Sequence, residues 1–144
     1  MAARPLRVGD RAEKELVLDR AEVVRLATEL GDPNPLHHDE AVARASRFGG
    51  LIASGGHLLG LLTSFCAAFT TGYGPGVGLG FSYELRRAAL AGTPVRLRWE
   101  VTAVERSERL RGDVVTLAGA IEDARDGTVL VTGAGRVLAR GDLG

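Results

Sequence analysis

The residues best suited to chemistry lie in one short run, Gly31-Asp32-Pro33-Asn34-Pro35-Leu36-His37-His38. Asp32 brings a carboxylate and His37 an imidazole, two groups that commonly move protons at neutral pH. Asp32 and Asn34 each precede a proline, which pushes both toward extended backbone angles. Residues two apart in an extended stretch face the same side, so Asp32 and Asn34 are predicted to point together. His37 lies five residues beyond Asp32, a separation of roughly 16 Å in a fully extended chain. For both to meet one water, the chain must fold back after Pro35.

Such a pair suits the addition of water to an activated double bond, or its removal. That reaction needs a base for the water and a proton for the neighbouring carbon. A carbonyl conjugated to the double bond gains negative charge in the transition state and calls for a preset donor. The run Ile52-Ala53-Ser54-Gly55-Gly56-His57, at the start of a long apolar segment, can supply one. Backbone N–H groups at a helix N-terminus favour anionic oxygen, and glycine lets a ligand come close. Gly55 is the best candidate. The same loop sequence also reads as an ordinary turn.

Other polar residues carry blander readings. His38 follows His37 directly, and adjacent side chains usually diverge, so it is expected to be exposed or structural. His57 is expected to be a satisfied structural histidine. A metal site from His37, His38, Asp39 and His57 lacks any standard ligand spacing, and none is expected. Cys66, the single cysteine, sits in an apolar run and reads as a small buried hydrophobe. Arg86 and Arg87 precede a loop and can grip phosphate. Tyr83 and Trp99 read as sheet or interface aromatics.

The elements that must position this run follow from periodicity. Glu13 to Leu18 is a short strand candidate. Asp19 offers an N-cap with Glu22 three residues on, and Val23, Leu26, Ala27 and Leu30 follow at helical spacing. Gly31 is a helix stop. Residues 31–38 are irregular, and Asp39 caps a short helix to about Ser46. Residues 47–55 read as a glycine-rich loop, and Gly56 to about Thr70 as a helix apolar on most faces, hence wrapped by other structure. Strands follow at Val77–Leu85, 95–103, 114–122 and 129–139, with Asp126-Gly127 as a hairpin turn. A sheet with one apolar face needs a cover, and the long helix is the candidate. The expectation is α+β, with a curved antiparallel sheet wrapped around a helix.

The chain has 144 residues, which suits one domain over 1–144. With 18 basic and 18 acidic residues the formal charge is zero, so nothing points to nucleic acid or an anionic membrane as partner. No signal-like or membrane-spanning apolar run is read, and a cytoplasmic protein is expected.

The run from Leu26 through Asp32-Pro33-Asn34-Pro35-Leu36-His37, with Ala41 and the later Phe48-Gly49-Gly50-Leu51-Ile52-Ala53-Ser54-Gly55, resembles the MaoC-like dehydratases and the R-specific enoyl-CoA hydratases among them. The resemblance extends more loosely over the chain, including Gly92-Thr93-Pro94-Val95. It implies a hot-dog fold and a hydro-lyase acting on 2-enoyl or (R)-3-hydroxyacyl thioesters. It implies that Asp32 and His37 hold and activate the water, that Asn34 shapes the loop or supports the pair, and that Asn34 and Ser54 count with Gly55 among the oxyanion or substrate-binding residues. It also implies that the Gly55 amide, next to Ser54, binds the thioester carbonyl. Ser54 replaces the histidine that often precedes this glycine in members acting on polyester precursors, which leaves the particular substrate open. Thr63 is a further candidate, a hydroxyl behind Asp32. No cofactor is implied beyond coenzyme A or a carrier-protein phosphopantetheine as part of the substrate, and the partner is a second copy of the chain. Two rivals share the fold: a thioesterase, and a non-catalytic acyl-thioester-binding subunit.

Overall fold

The period-two alternation in the second half of the chain becomes a five-stranded antiparallel sheet in the computed structural model, which describes residues 4–142. The strands are β1 (Arg11–Val17), β2 (Gly76–Leu85), β3 (Pro94–Ser107), β4 (Gly112–Asp123) and β5 (Val129–Ala139). They lie in the order β1-β3-β4-β5-β2. In β3, Val95, Leu97, Trp99 and Val101 are buried while Arg98 and Glu100 face solvent, so one face of the sheet is apolar and must be covered.

The cover is α3 (Gly55–Thr71). Its Leu58, Leu62, Cys66 and Phe69 join Leu97, Trp99, Leu117 and Val131 in one core. The Trp99 indole N–H donates to the Leu62 carbonyl at 2.8 Å, tying sheet to helix. Gly119 pairs with Trp99 across the sheet, and a Cβ there would stand 2.5 Å from the indole. Only glycine leaves room for that ring. Register shifts in β2, β3 and β4 interrupt the ladder, and such bulges bend and twist a sheet.

Two shorter helices precede α3. Asp19 caps α1 (Arg20–Glu29) by accepting from the Glu22 amide, and Asp39 caps α2 (Glu40–Ala45) by accepting from Val42. Element types agree with the sequence reading. The differences are local: β1 begins at Arg11, β3 runs on to Ser107, and α3 includes Gly55. The segment read as irregular contains one 3-10 turn, Pro35–His37. No helix among the described residues is long and apolar enough to cross a membrane.

Candidate active site

Asp32 is placed by the way α1 ends. Gly31 adopts φ +75°, its N–H donates to the Thr28 carbonyl, and the Asp32 N–H reaches back to the Ala27 carbonyl at 2.9 Å. That double closure is a Schellman motif, which needs the left-handed backbone glycine tolerates. The carboxylate then shapes the next residues. Asp32 Oδ1 accepts from the Asn34 N–H at 3.0 Å, and Asn34 Oδ1 accepts from the Leu36 N–H at 3.0 Å. Asn34 therefore caps the 3-10 turn rather than facing one water beside Asp32. Its Oδ1 shapes the loop by satisfying the turn's first free amide. The turn is the fold-back that the two prolines require.

It delivers His37 next to Asp32. Nε2 of His37 stands 3.3 Å from Asp32 Oδ2, with the imidazole side chain 6% exposed and the carboxylate 36%. His37 Nδ1 lies 2.7 Å from the Ile52 carbonyl oxygen. A carbonyl only accepts, so Nδ1 carries the hydrogen. In the neutral ring the lone pair then sits on Nε2, on the side facing Asp32. His38 turns away, and its Nε2 donates to the Asp32 carbonyl at 2.6 Å, a structural bond.

Residues 51–55 are brought to this loop by backbone pairing. The Ile52 N–H donates to the Leu36 carbonyl, Ala53 to Ala89, and Ala91 back to Leu51. Ile52 thus holds the 3-10 turn with its amide and orients His37 with its carbonyl. Side-chain reasoning missed this residue, because a backbone carbonyl leaves no mark in residue type. Ser54, 1% exposed, caps α3 by accepting from the His57 amide at 3.2 Å. Its hydroxyl positions the helix and does not line the cleft. This leaves the amides of Gly55 and Gly56 at the open, electropositive end of the helix. A Cβ at Gly56 would lie 3.0 Å from Leu30, so glycine lets the end of α1 meet the start of α3.

His37 and Gly55 share the wall of a cleft of about 700 Å³. Asp32 is not part of that wall and reaches the site through its carboxylate, 3.3 Å from His37 Nε2. Arg47, Arg86 and Arg87 line the same cleft. The Arg47 guanidinium lies 4.8 Å from the Phe48 ring centre, and Arg86 pairs with Glu84 at 3.0 Å. Arg47 was not singled out from sequence, since a lone arginine in a loop carries no positional signal.

Other predicted residues fall elsewhere. Thr63 is not behind Asp32. It lies two turns down α3, hydrogen-bonded to the Tyr83 hydroxyl. His57 is 3% exposed and its Nδ1 has no hydrogen-bond partner among the described residues, so it is structural but not satisfied there. Burial holds its pKa below the usual histidine value of 6.5. Cys66 is fully buried, and burial pushes its thiol up to about 11, which suits packing and not nucleophilic attack. No cluster of three or more metal-ligating side chains occurs among the described residues.

Comparison with known proteins adds to this geometry. The family model for the MaoC like domain matches residues 7–122. The (R)-hydratase from A. caviae involved in PHA biosynthesis is 30% identical, with a TM-score of 0.82 over 95% of this chain and 99% of that one. A MaoC-like dehydratase from Rhodospirillum rubrum is 28% identical, with a TM-score of 0.78 over 96% of each chain. A chain of the ChsH1-ChsH2 complex from Mycobacterium tuberculosis shares the fold at 21% identity, with a TM-score of 0.74 over 93% of this chain and 98% of that one. No curated protein matches by sequence. The curved sheet around α3 is the hot-dog fold, and the chain belongs to the MaoC-like domain family.

Proposed function

We propose that the chain is a hydro-lyase that adds water to 2-enoyl thioesters, or removes it from (R)-3-hydroxyacyl thioesters. The observation that carries this reading is His37, locked through Nδ1 to Ile52 and presenting Nε2 to Asp32 at 3.3 Å, in a cleft shared with the Gly55 end of α3. In hydration the Asp32–His37 pair takes one proton from a bound water as its oxygen bonds to the β-carbon. The pair returns a proton to the α-carbon, so the net change is one water added. Charge that gathers on the thioester oxygen meets the Gly55 N–H and the positive end of α3. Dehydration is the same path reversed.

Support for the substrate class comes from the family, from the A. caviae (R)-hydratase likeness, and from the cleft. The thioester arm is coenzyme A or phosphopantetheine, and Arg47, Arg86 and Arg87 at the cleft are suited to its phosphates. A second copy of the chain is the proposed partner, docked along the free edge of β2.

The test is hydration of crotonyl-CoA, followed by loss of enoyl absorbance with a parallel thiol assay. Wild type consumes the enoyl group without releasing thiol. Asp32→Asn, with an unchanged melting temperature, lowers the rate about a hundredfold or more. A folded Asp32→Asn with undiminished rate would remove Asp32 from the mechanism. Stoichiometric thiol release would make the protein a thioesterase.

A further inference from the structure

One buried imidazole is left unused by this chemistry. His57 follows Gly55 and Gly56 on α3 and is 3% exposed, although Gly56 beside it is open to solvent. Its backbone N–H donates to the Ser54 hydroxyl at 3.2 Å, and its ring Nδ1 has no hydrogen-bond partner among the described residues. Helical side chains lean toward the N-terminus, so the ring covers the first turn of α3. Among the described residues, the charges that act on it are Glu22 and Arg25, both on α1. The ring is therefore turned to α1, and α3 itself carries no Asp, Glu, Lys or Arg.

The face of α1 that meets this turn ends at the site. Val23 and Ala27 on that face are fully buried, and Leu30 continues it at helical spacing. A Cβ at Gly56 would stand 3.0 Å from Leu30. Asp32 comes just after Leu30 and Gly31, and its N–H is fastened to α1 through the Ala27 carbonyl at 2.9 Å. A shift of α1 against α3 therefore moves the Asp32 carboxylate relative to the Gly55 amide. A neutral His57 is one more buried ring in this joint. A charged His57 is a desolvated cation at the positive end of the α3 dipole. Glu22 favours that charge and Arg25 opposes it, and burial outweighs both.

Resting on the hydro-lyase reading above, we infer that His57 is a positioning residue that acts as an acid-sensitive wedge between α1 and α3. Its neutral ring holds the end of α1 against the start of α3 and so sets the spacing of Asp32 from the Gly55 amide. A proton taken from solvent loosens the joint and lowers turnover while the fold persists. A leucine in the same place fills the space without that response. Sequence reading placed His57 only near the helix start, since no local pattern shows that a second helix will bury it.

The experiment follows kcat and KM for crotonyl-CoA from about pH 8 to about pH 5 in wild type, His57→Leu and His57→Ala, each shown folded by near-UV circular dichroism. The Asp32–His37 pair titrates in all three, so the difference between profiles isolates His57. At the alkaline end His57→Leu is expected to keep kcat within about threefold, because it conserves the buried volume. His57→Ala lowers kcat about tenfold or more with little change in KM, as a displaced group does. Toward acid, wild-type kcat falls about tenfold further than that of His57→Leu. Parallel acid limbs for wild type and His57→Leu would overturn the proposal, as would a folded His57→Ala with wild-type kcat. A folded His57→Leu inactive at the alkaline end would overturn it too, since the ring would then be more than a wedge. An NMR titration needs no turnover and no alanine variant. In wild type the Gly31, Asp32 and Gly55 amide shifts follow protonation of the His57 ring, and in His57→Leu that component is gone. Inactivity toward every enoyl thioester would sink the hydro-lyase reading while the joint is still read from these shifts. Amide shifts that ignore the His57 ring would overturn the wedge alone.

Discussion

A buried imidazole has its chemistry set by which nitrogen carries the hydrogen. In His37 the Ile52 carbonyl makes that choice, and the other nitrogen faces Asp32. Asparagine overlays Nδ1 of histidine but ends short of Nε2. His37→Asn is therefore expected to keep the bond to Ile52 and a near wild-type melting temperature. Its crotonyl-CoA hydration falls about a hundredfold to ten-thousandfold. Wild-type turnover in that variant would show that Nε2 plays no part. His57 gives a different prediction. Its Nδ1 is buried without a partner among the described residues and burial lowers its pKa, so the unfolded chain binds the proton more readily than the folded one. The stability that neutral His57 contributes is complete above about pH 6.5 and is lost as pH falls from there through the lower folded value. His57→Leu removes this component. Chemical denaturation across that range should show a smaller acid loss for the variant than for wild type. Identical pH slopes would count against the assignment.

At the scale of elements, the proposed donor to the thioester carbonyl is a property of where α3 begins. Ser54 sits at ψ 156°, extended, and Gly55 is the first helical residue. Proline is tolerated at that position of a helix, and an extended preceding residue accepts it. Gly55→Pro therefore deletes the N–H while leaving α3 in place. Hydration is expected to fall about a hundredfold to a thousandfold, as for removal of one oxyanion donor, with helix content by circular dichroism unchanged. Gly55→Ala retains the N–H and separates the donor from the contact with Leu85. A rate for the proline variant equal to that for alanine would move the carbonyl elsewhere. The end of α1 is a second such point. Gly31 holds φ +75° immediately before Asp32, so Gly31→Ala is expected to cost about 1 kcal/mol or more. The same change should lower turnover, because the next residue's carboxylate moves with the cap.

For the molecule as a whole, the sheet ends in two edges, β1 and β2. Val77, Leu79 and Leu85 on β2 are exposed, and an exposed apolar edge strand is a template for pairing with another chain. A dimer through β2 follows from the proposed partner. Sedimentation velocity should find wild type as a dimer and Val77→Lys/Leu79→Lys as a monomer, since edge lysines block strand addition. A wild-type monomer at micromolar concentration, or a dimer unaffected by the lysines, would place the interface elsewhere.

Much of this was legible in the residues themselves. Alternation along β3, the cap residues Asp19 and Asp39, and the stop at Gly31 are local signals. A strand's buried face and a helix's ends are written within a few residues of each other. The Asp32–His37 pair was legible too, because two prolines leave the loop few ways to fold. What only the tertiary structure decided depends on register and long-range pairing. Asn34 spends its side chain on a turn, Ser54 on a cap, and Thr63 on Tyr83 rather than Asp32. His37 takes its tautomer from Ile52, fifteen residues away, and Tyr83 takes its place from Gly133 on another strand. A one-residue slip would turn Tyr83 to the other face of the sheet, and no local pattern records which glycine it will meet.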